Sequence, residues 1–151
     1  MAVDNHSVAV SETLKANISQ VWENEMRKIT EPLPRPKNST PARFFPTDAC
    51  NELIRTSFTE FFRKKSMLNA KMQSSASLGL VVFPGDMQIP ANFSLIIPLN
   101  ITGKIELDGV AMDMDHHYYR QKDEKDQKSI FKVYENSKLV MLYVTNLTIF
   151  M

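Results

Sequence analysis

The chain has little cysteine, histidine or glycine, and each shortage argues against a class of chemistry. Cys50 is the single cysteine among 151 residues, so an intramolecular disulfide or a cysteine-based zinc site cannot form. The chain has three histidines and four glycines, and it contains no glycine-rich phosphate loop or nucleophile elbow. The sequence therefore predicts no catalytic residue, no cofactor and no metal ion, and we expect a protein that is not an enzyme.

Strong net charge and long apolar runs are also missing. The formal net charge of +1 is too balanced for a dedicated polyanion binder, which usually presents a strongly basic face. No stretch approaches the roughly 18 apolar residues that a transmembrane helix needs. The amino terminus carries Asp4 and no apolar run of the kind found in signal peptides. We therefore expect an intracellular, cytoplasmic protein without a transmembrane segment.

Asparagine sequons point the other way, towards a secreted glycoprotein. They are more frequent than chance composition would give, but a sequon is meaningful only in a secreted chain. One of them falls in a predicted helix, where a glycan is unusual. Secretion remains an alternative that the missing signal peptide disfavours. The sequons begin at Asn5, Asn17, Asn38, Asn92, Asn100 and Asn146.

An amphipathic helix and a proline-rich arm are predicted in the first 46 residues. The apolar residues between Ser11 and Ile29 recur at three- and four-residue steps, which is the repeat of one helical face. Ser11 can cap this helix, and Glu31-Pro32 should end it. Five prolines between Thr30 and Pro46 predict an extended arm. The apolar stripe consists of Leu14, Ile18, Val21, Trp22, Met26 and Ile29.

A second amphipathic helix should open the body of the protein, residues 47–151. Thr47 or Asp48 can cap its start. Its basic residues Arg63, Lys64 and Lys65 would lie near the carboxyl end, where the helix dipole favours positive charge. The predicted apolar stripe is Cys50, Ile54, Phe58, Phe61, Phe62, Leu68 and Met72.

Beyond Ser74 the hydrophobic pattern becomes alternating, which predicts antiparallel strands. Strands are expected at 77–83 and 93–107, with Pro98 at an edge or a bulge. Two more, at 129–134 and 138–150, should form a hairpin around Glu135-Asn136-Ser137, after a solvated charged loop at 122–129. The predicted fold is α+β: two amino-terminal amphipathic helices joined by a Pro-rich arm, followed by a mainly antiparallel sheet of about four to six strands.

The stretch MDMDHHYYR, residues 112–120, combines aspartates and histidines that could hold a metal ion or form the polar face of a strand. Asp108-Gly109 predicts a type I′ hairpin turn, which would place Met112 opposite Ile105 and Tyr118 opposite Leu99. His116 then points inward. Lys104 stands opposite Asp113 and would compete with a cation, so we favour the solvated face over a metal site. On that register the polar face carries Asp113, Asp115 and His117.

A helix on a long arm can dock on a neighbouring copy, so this layout favours a non-catalytic interaction or self-assembly protein. Such a protein would have a structural role, of which viral matrix and coat proteins are one form. It would be a homo-oligomer through the amino-terminal helix and arm, with Leu14, Ile18, Trp22 and Met26 at the interface. The alternative is a protein that binds nucleic acid or an anionic membrane surface through Arg63, Lys64 and Lys65. A small-ligand carrier with methionines lining its pocket is a further possibility.

Overall fold

A computed structural model describes residues 7–37, 41–64, 71–73, 76–89, 94–120, 129–145 and 148–150. Helices and antiparallel strands confirm the α+β class. The helices are α1 (Glu12–Val21), a π-helical turn (Trp22–Met26), α2 (Arg27–Thr30) and α3 (Asp48–Lys64). The strands are β1 (Ser7–Ala9), β2 (Pro41–Phe44), β3 (Lys71–Gln73), β4 (Ala76–Val82), β5 (Gly85–Ile89), β6 (Ser94–Thr102), β7 (Ile105–Leu107), β8 (Val110–Ala111), β9 (His116–Arg120), β10 (Ser129–Val133), β11 (Lys138–Thr145) and β12 (Thr148–Phe150).

The first predicted helix is confirmed between Glu12 and Thr30, with a π-helical turn in its middle. Ser11 caps it as expected, since its Oγ accepts a hydrogen bond of 3.1 Å from the backbone N of Leu14. Ser11 also donates from its N and its Oγ to the Glu60 carboxylate on α3, which ties the two helices together. None of the helices in the described ranges is long and apolar enough to cross a membrane.

The last part of the Pro-rich arm is an extended strand that joins the sheet instead of standing apart from it. β2 pairs antiparallel with β4, and Phe44 lies opposite Gly79. A Cβ at Gly79 would collide with the Phe44 ring, so glycine makes room for that ring. A further strand, β1, precedes α1. The predicted order of helices followed by a sheet is therefore wrong, whereas the division into 1–46 and 47–151 stays a prediction.

The second predicted helix is confirmed as α3, and Thr47 rather than Asp48 caps it. The backbone N of Cys50 donates to Thr47 Oγ1 at 3.3 Å. The helix ends at Lys64, and Met72 lies in β3 instead of on the helical stripe. Lys65, Leu68, His6, the charged segment 122–128 and the sequons at 5, 38, 92 and 146 lie outside the described residues.

Most of the strands form two facing sheets, and their number exceeds the predicted four to six. The larger sheet has the order β1-β9-β6-β11-β4-β2 and the smaller one the order β5-β10-β7-β8, while β12 and β3 pair separately. From β4 to β11 the chain passes back and forth between the sheets, which is the arrangement of a jelly roll. One apolar layer lies between the sheets, and a second lies between the larger sheet and the helices.

The predicted hairpin of β10 and β11 is wrong, because the two strands belong to different sheets. β10 lies between β5 and β7, whereas β11 lies between β6 and β4. Its position inside the larger sheet explains why β11 is apolar on both faces, as the sequence indicated. The register of β6 against β11 shifts between Val140 and Met141, beside Pro98. The expected irregularity at Pro98 is thus confirmed as a bulge in an inner strand.

The Asp108-Gly109 turn is confirmed, but the predicted register ends a few residues beyond it. Both residues have positive φ, 52° and 82°, as a type I′ turn requires. The backbone N of Met112 donates to Ile105 O at 2.9 Å. The chain then crosses to the larger sheet, where Tyr118 pairs with Ile96. The predicted pairing of Tyr118 with Leu99 is therefore wrong.

This crossover also reverses the predicted environments of the two neighbouring histidines. His117, expected on a solvated face, is buried against the helical layer. His116, expected in the core, is partly exposed, and its Nδ1 lies 2.8 Å from Asp113 Oδ1. Asp115 pairs with Lys15 on α1 at 3.1 Å. These side chains thus leave in different directions and do not form one polar strand face.

Candidate functional site

The interior of the jelly roll is apolar along most of its length and polar at one end. Alternate residues of a strand face the same side. Residues in phase with the buried Ile96, Tyr118 and Phe131 therefore face the space between the sheets. Near one end of four of these strands, the residue that faces this space is polar. We call this group the polar end: Ser94 on β6, Arg120 on β9, Ser129 on β10 and Tyr143 on β11.

Arg120 is the charged group of the polar end, and only 9% of it is exposed. Its Nε donates to Asp108 Oδ2 at 3.0 Å and to Ser129 Oγ at 3.1 Å. Its Nη1 donates to the carbonyl oxygen of Tyr119 at 2.7 Å. Since Arg120 belongs to the larger sheet and Asp108 and Ser129 to the smaller, these bonds connect the two sheets. A guanidinium stays charged in proteins, so the polar end holds a fixed, oriented positive group.

Asp108 is itself held by strand β10. Its Oδ1 accepts a hydrogen bond of 2.8 Å from the backbone N of Ile130, and its backbone N donates to Ile130 O at 2.9 Å. Both carboxylate oxygens are therefore engaged, one by Arg120 and the other by β10. The aspartate that the sequence marked as a turn residue also positions the guanidinium.

Two hydroxyl groups on the same face of the larger sheet as Arg120 are buried without a hydrogen-bond partner among the described residues. They are Ser94 Oγ and Tyr143 OH. Ser94 lies directly opposite Arg120, and Tyr143 lies opposite Ile96, two residues further along β6. Facing residues have Cβ atoms about 5 Å apart and diagonal ones lie within reach of a tyrosine. A buried polar group without a partner costs about 1–3 kcal/mol, so this arrangement calls for an explanation.

A second pair of buried polar groups lies on the other side of the larger sheet. Ser57 Oγ on α3 and His117 Nε2 have no partner within the described ranges. Both line a small cavity of about 10 Å³, together with Glu60 and Lys64. Burial lowers the pKa of His117 from 6.5 to about 4, because desolvation disfavours the charged imidazolium. A cavity of this size can hold roughly one water molecule, which would satisfy both groups.

The predicted interface residues of the first helix are mostly inside the molecule. Leu14, Ile18 and Met26 are buried in the layer between the helices and the larger sheet. Trp22 is partly buried and lines a groove of about 300 Å³ beside Leu99. The three buried side chains already have apolar neighbours within their own chain. The oligomeric state stays a prediction.

The predicted basic site at the end of α3 is only partly described. Arg63 and Lys64 are exposed in its last turn, and Lys65 lies outside the described residues. Lys64 Nζ donates to the carbonyl oxygen of Ala9 at 2.6 Å, which fastens β1 to the helix. The structure thus gives Lys64 a role in packing.

Sequence reasoning missed all four residues of the polar end. A weak signal exists, because Arg120 and Ser129 occupy positions in phase with the apolar inner face of their strands. A polar residue at the end of an apolar alternation is nevertheless common at the surface of a protein. Their convergence depends on how two sheets face each other, which no local pattern reveals.

Comparison with known proteins gives one informative likeness. No family model and no curated protein sequence matches the chain. The structure is similar to that of a viral collagen prolyl hydroxylase from Paramecium Bursaria Chlorella virus-1, solved as a complex with 2OG. The TM-score is 0.57 at 11% identity, and the likeness covers 95% of this chain and 96% of the other. At this identity the likeness shows the fold alone.

This likeness corrects the expected function. The sequence predicted a non-catalytic, matrix- or coat-like assembly protein, with a polyanion binder as the alternative. Instead, nearly the whole chain follows the fold of an enzyme. The expectation that the chain is not an enzyme is wrong for the same reason. It relied on missing motifs, and a motif reveals only a site whose residues are close together in the sequence.

The described residues do not fit the metal centre that hydroxylation would require. Non-haem Fe(II) oxygenases hold their metal with two histidines and one carboxylate. The described ranges contain no cluster of three or more His, Cys, Asp or Glu side chains that could hold a metal ion. His116 and His117 are consecutive on β9 and so face opposite sides of the sheet. We therefore derive no chemical step through a metal ion.

Proposed function

We propose that this chain is an enzyme that takes a small 2-oxo acid or dicarboxylate, of the 2-oxoglutarate type, as its substrate or cosubstrate at the polar end. The observation that carries the proposal is a buried arginine facing into the jelly roll, with two buried hydroxyl groups on β6 and β11 that share its face of the sheet and lack partners within the described residues. The fold likeness supports it, since the similar hydroxylase was solved with 2OG bound.

The polar end offers the groups that such an anion needs. A guanidinium binds carboxylates through charge-assisted hydrogen bonds, and its planar fork favours a defined orientation. Ser94 Oγ and Tyr143 OH are donors without a partner in the described part of the chain, and an anion there would satisfy both.

The same groups could act on the ligand as well as hold it. Oriented hydrogen-bond donors in a site shielded from water stabilise negative charge that develops on a carbonyl oxygen. The Tyr143 hydroxyl and the Arg120 guanidinium are such donors, and both residues are largely buried. The roles we assign are charge recognition for Arg120, and hydrogen bonding to a carboxylate or keto oxygen for Ser94 and Tyr143.

Calorimetry with 2-oxoglutarate tests this proposal, followed by NMR detection of its consumption. We expect saturable binding to one site, and weaker binding in the Ser94→Ala/Tyr143→Phe double variant. A hydrogen bond to a charged group is worth about 1.5–3 kcal/mol, so the double variant should lose affinity by roughly tenfold or more. Absence of binding to the wild-type chain, or an unchanged affinity in the double variant, would reject the proposal.

Ser57→Ala and Tyr134→Phe are the matched controls. Ser57 is as deeply buried as Ser94 but lies in the helical layer. The Tyr134 hydroxyl donates to Glu106 Oε1 at 3.0 Å, away from the polar end. Both controls should bind 2-oxoglutarate as the wild type does, which separates a loss of ligand contacts from a general effect of removing hydroxyl groups.

A further inference from the structure

We infer that the polar end binds its anionic ligand without a metal ion, through the guanidinium and the two hydroxyl groups alone. This inference rests on the proposed function and adds the mode of recognition. Three observations carry it: the kinds of side chain at the polar end, the positions of the histidines, and the bonds of the nearby carboxylate.

The side chains of the polar end are donors of hydrogen bonds rather than ligands of metal ions. Ser94, Ser129 and Tyr143 carry neutral hydroxyls, and Arg120 carries a permanent positive charge. First-row metal ions in oxygenase-type sites take imidazole and carboxylate ligands. A divalent cation placed among these groups would be repelled by the guanidinium, whereas a carboxylate would be attracted.

The described histidines cannot reach the polar end from their places on β9. His116 lies four residues before Arg120, which is about 13 Å along an extended strand. Its Nδ1 is 2.8 Å from Asp113 Oδ1 near the surface. His117 faces the opposite layer and lines the cavity beside α3. Neither imidazole is therefore positioned to coordinate an ion beside Arg120.

Asp108 is a carboxylate that contacts Arg120, and both of its oxygens already accept hydrogen bonds. Arg120 Nε binds one of its oxygens and the backbone N of Ile130 binds the other, at 3.0 and 2.8 Å. A metal ion could recruit Asp108 only by breaking the bond that orients the guanidinium. The bonds of Asp108 thus favour an anion as the partner of this site.

The experiment is calorimetry of the full chain with 2-oxoglutarate in two buffers, one containing EDTA and one containing Mn²⁺. Mn²⁺ alone, and Fe²⁺ under anaerobic conditions, are titrated separately. We expect the two affinities for 2-oxoglutarate to agree within about twofold, and neither metal ion to bind stoichiometrically. In EDTA the Ser94→Ala/Tyr143→Phe double variant should bind roughly tenfold or more weakly.

Each contrary result has its own meaning. Binding of 2-oxoglutarate that disappears in EDTA and returns with Mn²⁺ would overturn the metal-free mode and leave the proposed function standing. Absence of binding in both buffers would overturn both. Binding in EDTA that the double variant retains at full strength would place the ligand elsewhere, and would overturn the assignment to the polar end.

Discussion

The two faces of the larger sheet each bury a pair of polar groups without partners in the described structure, and their surroundings differ. Ser57 and His117 face the helical layer beside a cavity of about 10 Å³. Ser94 and Tyr143 face the jelly roll interior, Ser94 on β6 opposite Arg120 and Tyr143 on β11, the next strand beyond β6. The first pair needs roughly one water molecule. The second pair shares its face of the sheet with the fixed positive charge of Arg120, which is why we assign function to the interior face and packing to the helical face.

The largest effect that should separate the two faces is the acid sensitivity of His117. Its pKa is about 4 in the folded protein, because burial disfavours the charged form, against 6.5 when unfolded. Above pH 6.5 both states are neutral and stability is at its full value. As the pH falls from 6.5 to about 4, only the unfolded state takes up the proton. Stability should therefore drop by roughly 3 kcal/mol over this window, at about 1.4 kcal/mol per pKa unit.

Urea unfolding at a series of pH values measures this effect, and His117→Gln is the informative variant. The slope of stability against pH between 6.5 and 4 should be shallower in the variant. His116→Gln is the control, since His116 is partly exposed beside Asp113. An equal slope in the wild type and His117→Gln would show that the helical face is not the source of acid sensitivity.

The next effect concerns the charge that sets the interior face apart. Arg120→Gln removes the partner of Asp108, whose side chain is 39% exposed. Removing one member of a buried pair costs about 3–5 kcal/mol and an exposed pair contributes less than about 1, so we expect a loss of about 2 kcal/mol. Arg27→Gln is the matched control, because Arg27 pairs with Glu23 on an exposed helical surface at 3.0 Å. Equal losses in urea unfolding would contradict a special role for the buried pair.

Local patterns in the sequence were sufficient for elements whose cause is local. The Ser11 cap, the start of α3, the Asp108-Gly109 turn and the bulge at Pro98 all follow from the chemistry of one or two residues. The prediction failed where the partner of a strand lies far along the chain. β10 and β11 resemble a hairpin in sequence, but β10 pairs with strands of the smaller sheet and β11 with strands of the larger.

The polar end could not be predicted from the sequence for the same reason. Ser94, Arg120 and Tyr143 are brought together by pairing of β6 with both β9 and β11. The alternation of the sequence showed which residues share a face of one strand. It could not show that the chain crosses from the smaller sheet to the larger one between β8 and β9. This crossing places Arg120 on the inner face of the larger sheet and His117 on the face towards the helices.

The smallest effect compares single hydroxyl groups and tests the distinction most directly. Tyr143→Phe removes a buried hydroxyl that lacks a partner in the described structure, so the free protein should gain up to about 1 kcal/mol of stability. Ser57→Ala should change stability little, because the cavity beside Ser57 Oγ can hold a water molecule that satisfies it. Tyr118→Phe should be destabilising, since the Tyr118 hydroxyl accepts a hydrogen bond of 2.9 Å from the backbone N of Asp113.

Adding 2-oxoglutarate should then distinguish Tyr143→Phe from Ser57→Ala. A ligand that binds only the folded state raises its stability in proportion to the logarithm of ligand concentration over the dissociation constant. Ser57→Ala should show the same ligand-induced rise in melting temperature as the wild type, whereas Tyr143→Phe should show a smaller one. If both variants respond like the wild type, the Tyr143 hydroxyl makes no hydrogen bond to the ligand. A gain in stability combined with a loss of ligand response would instead mean that the interior face keeps an unfavourable hydroxyl because the ligand needs it.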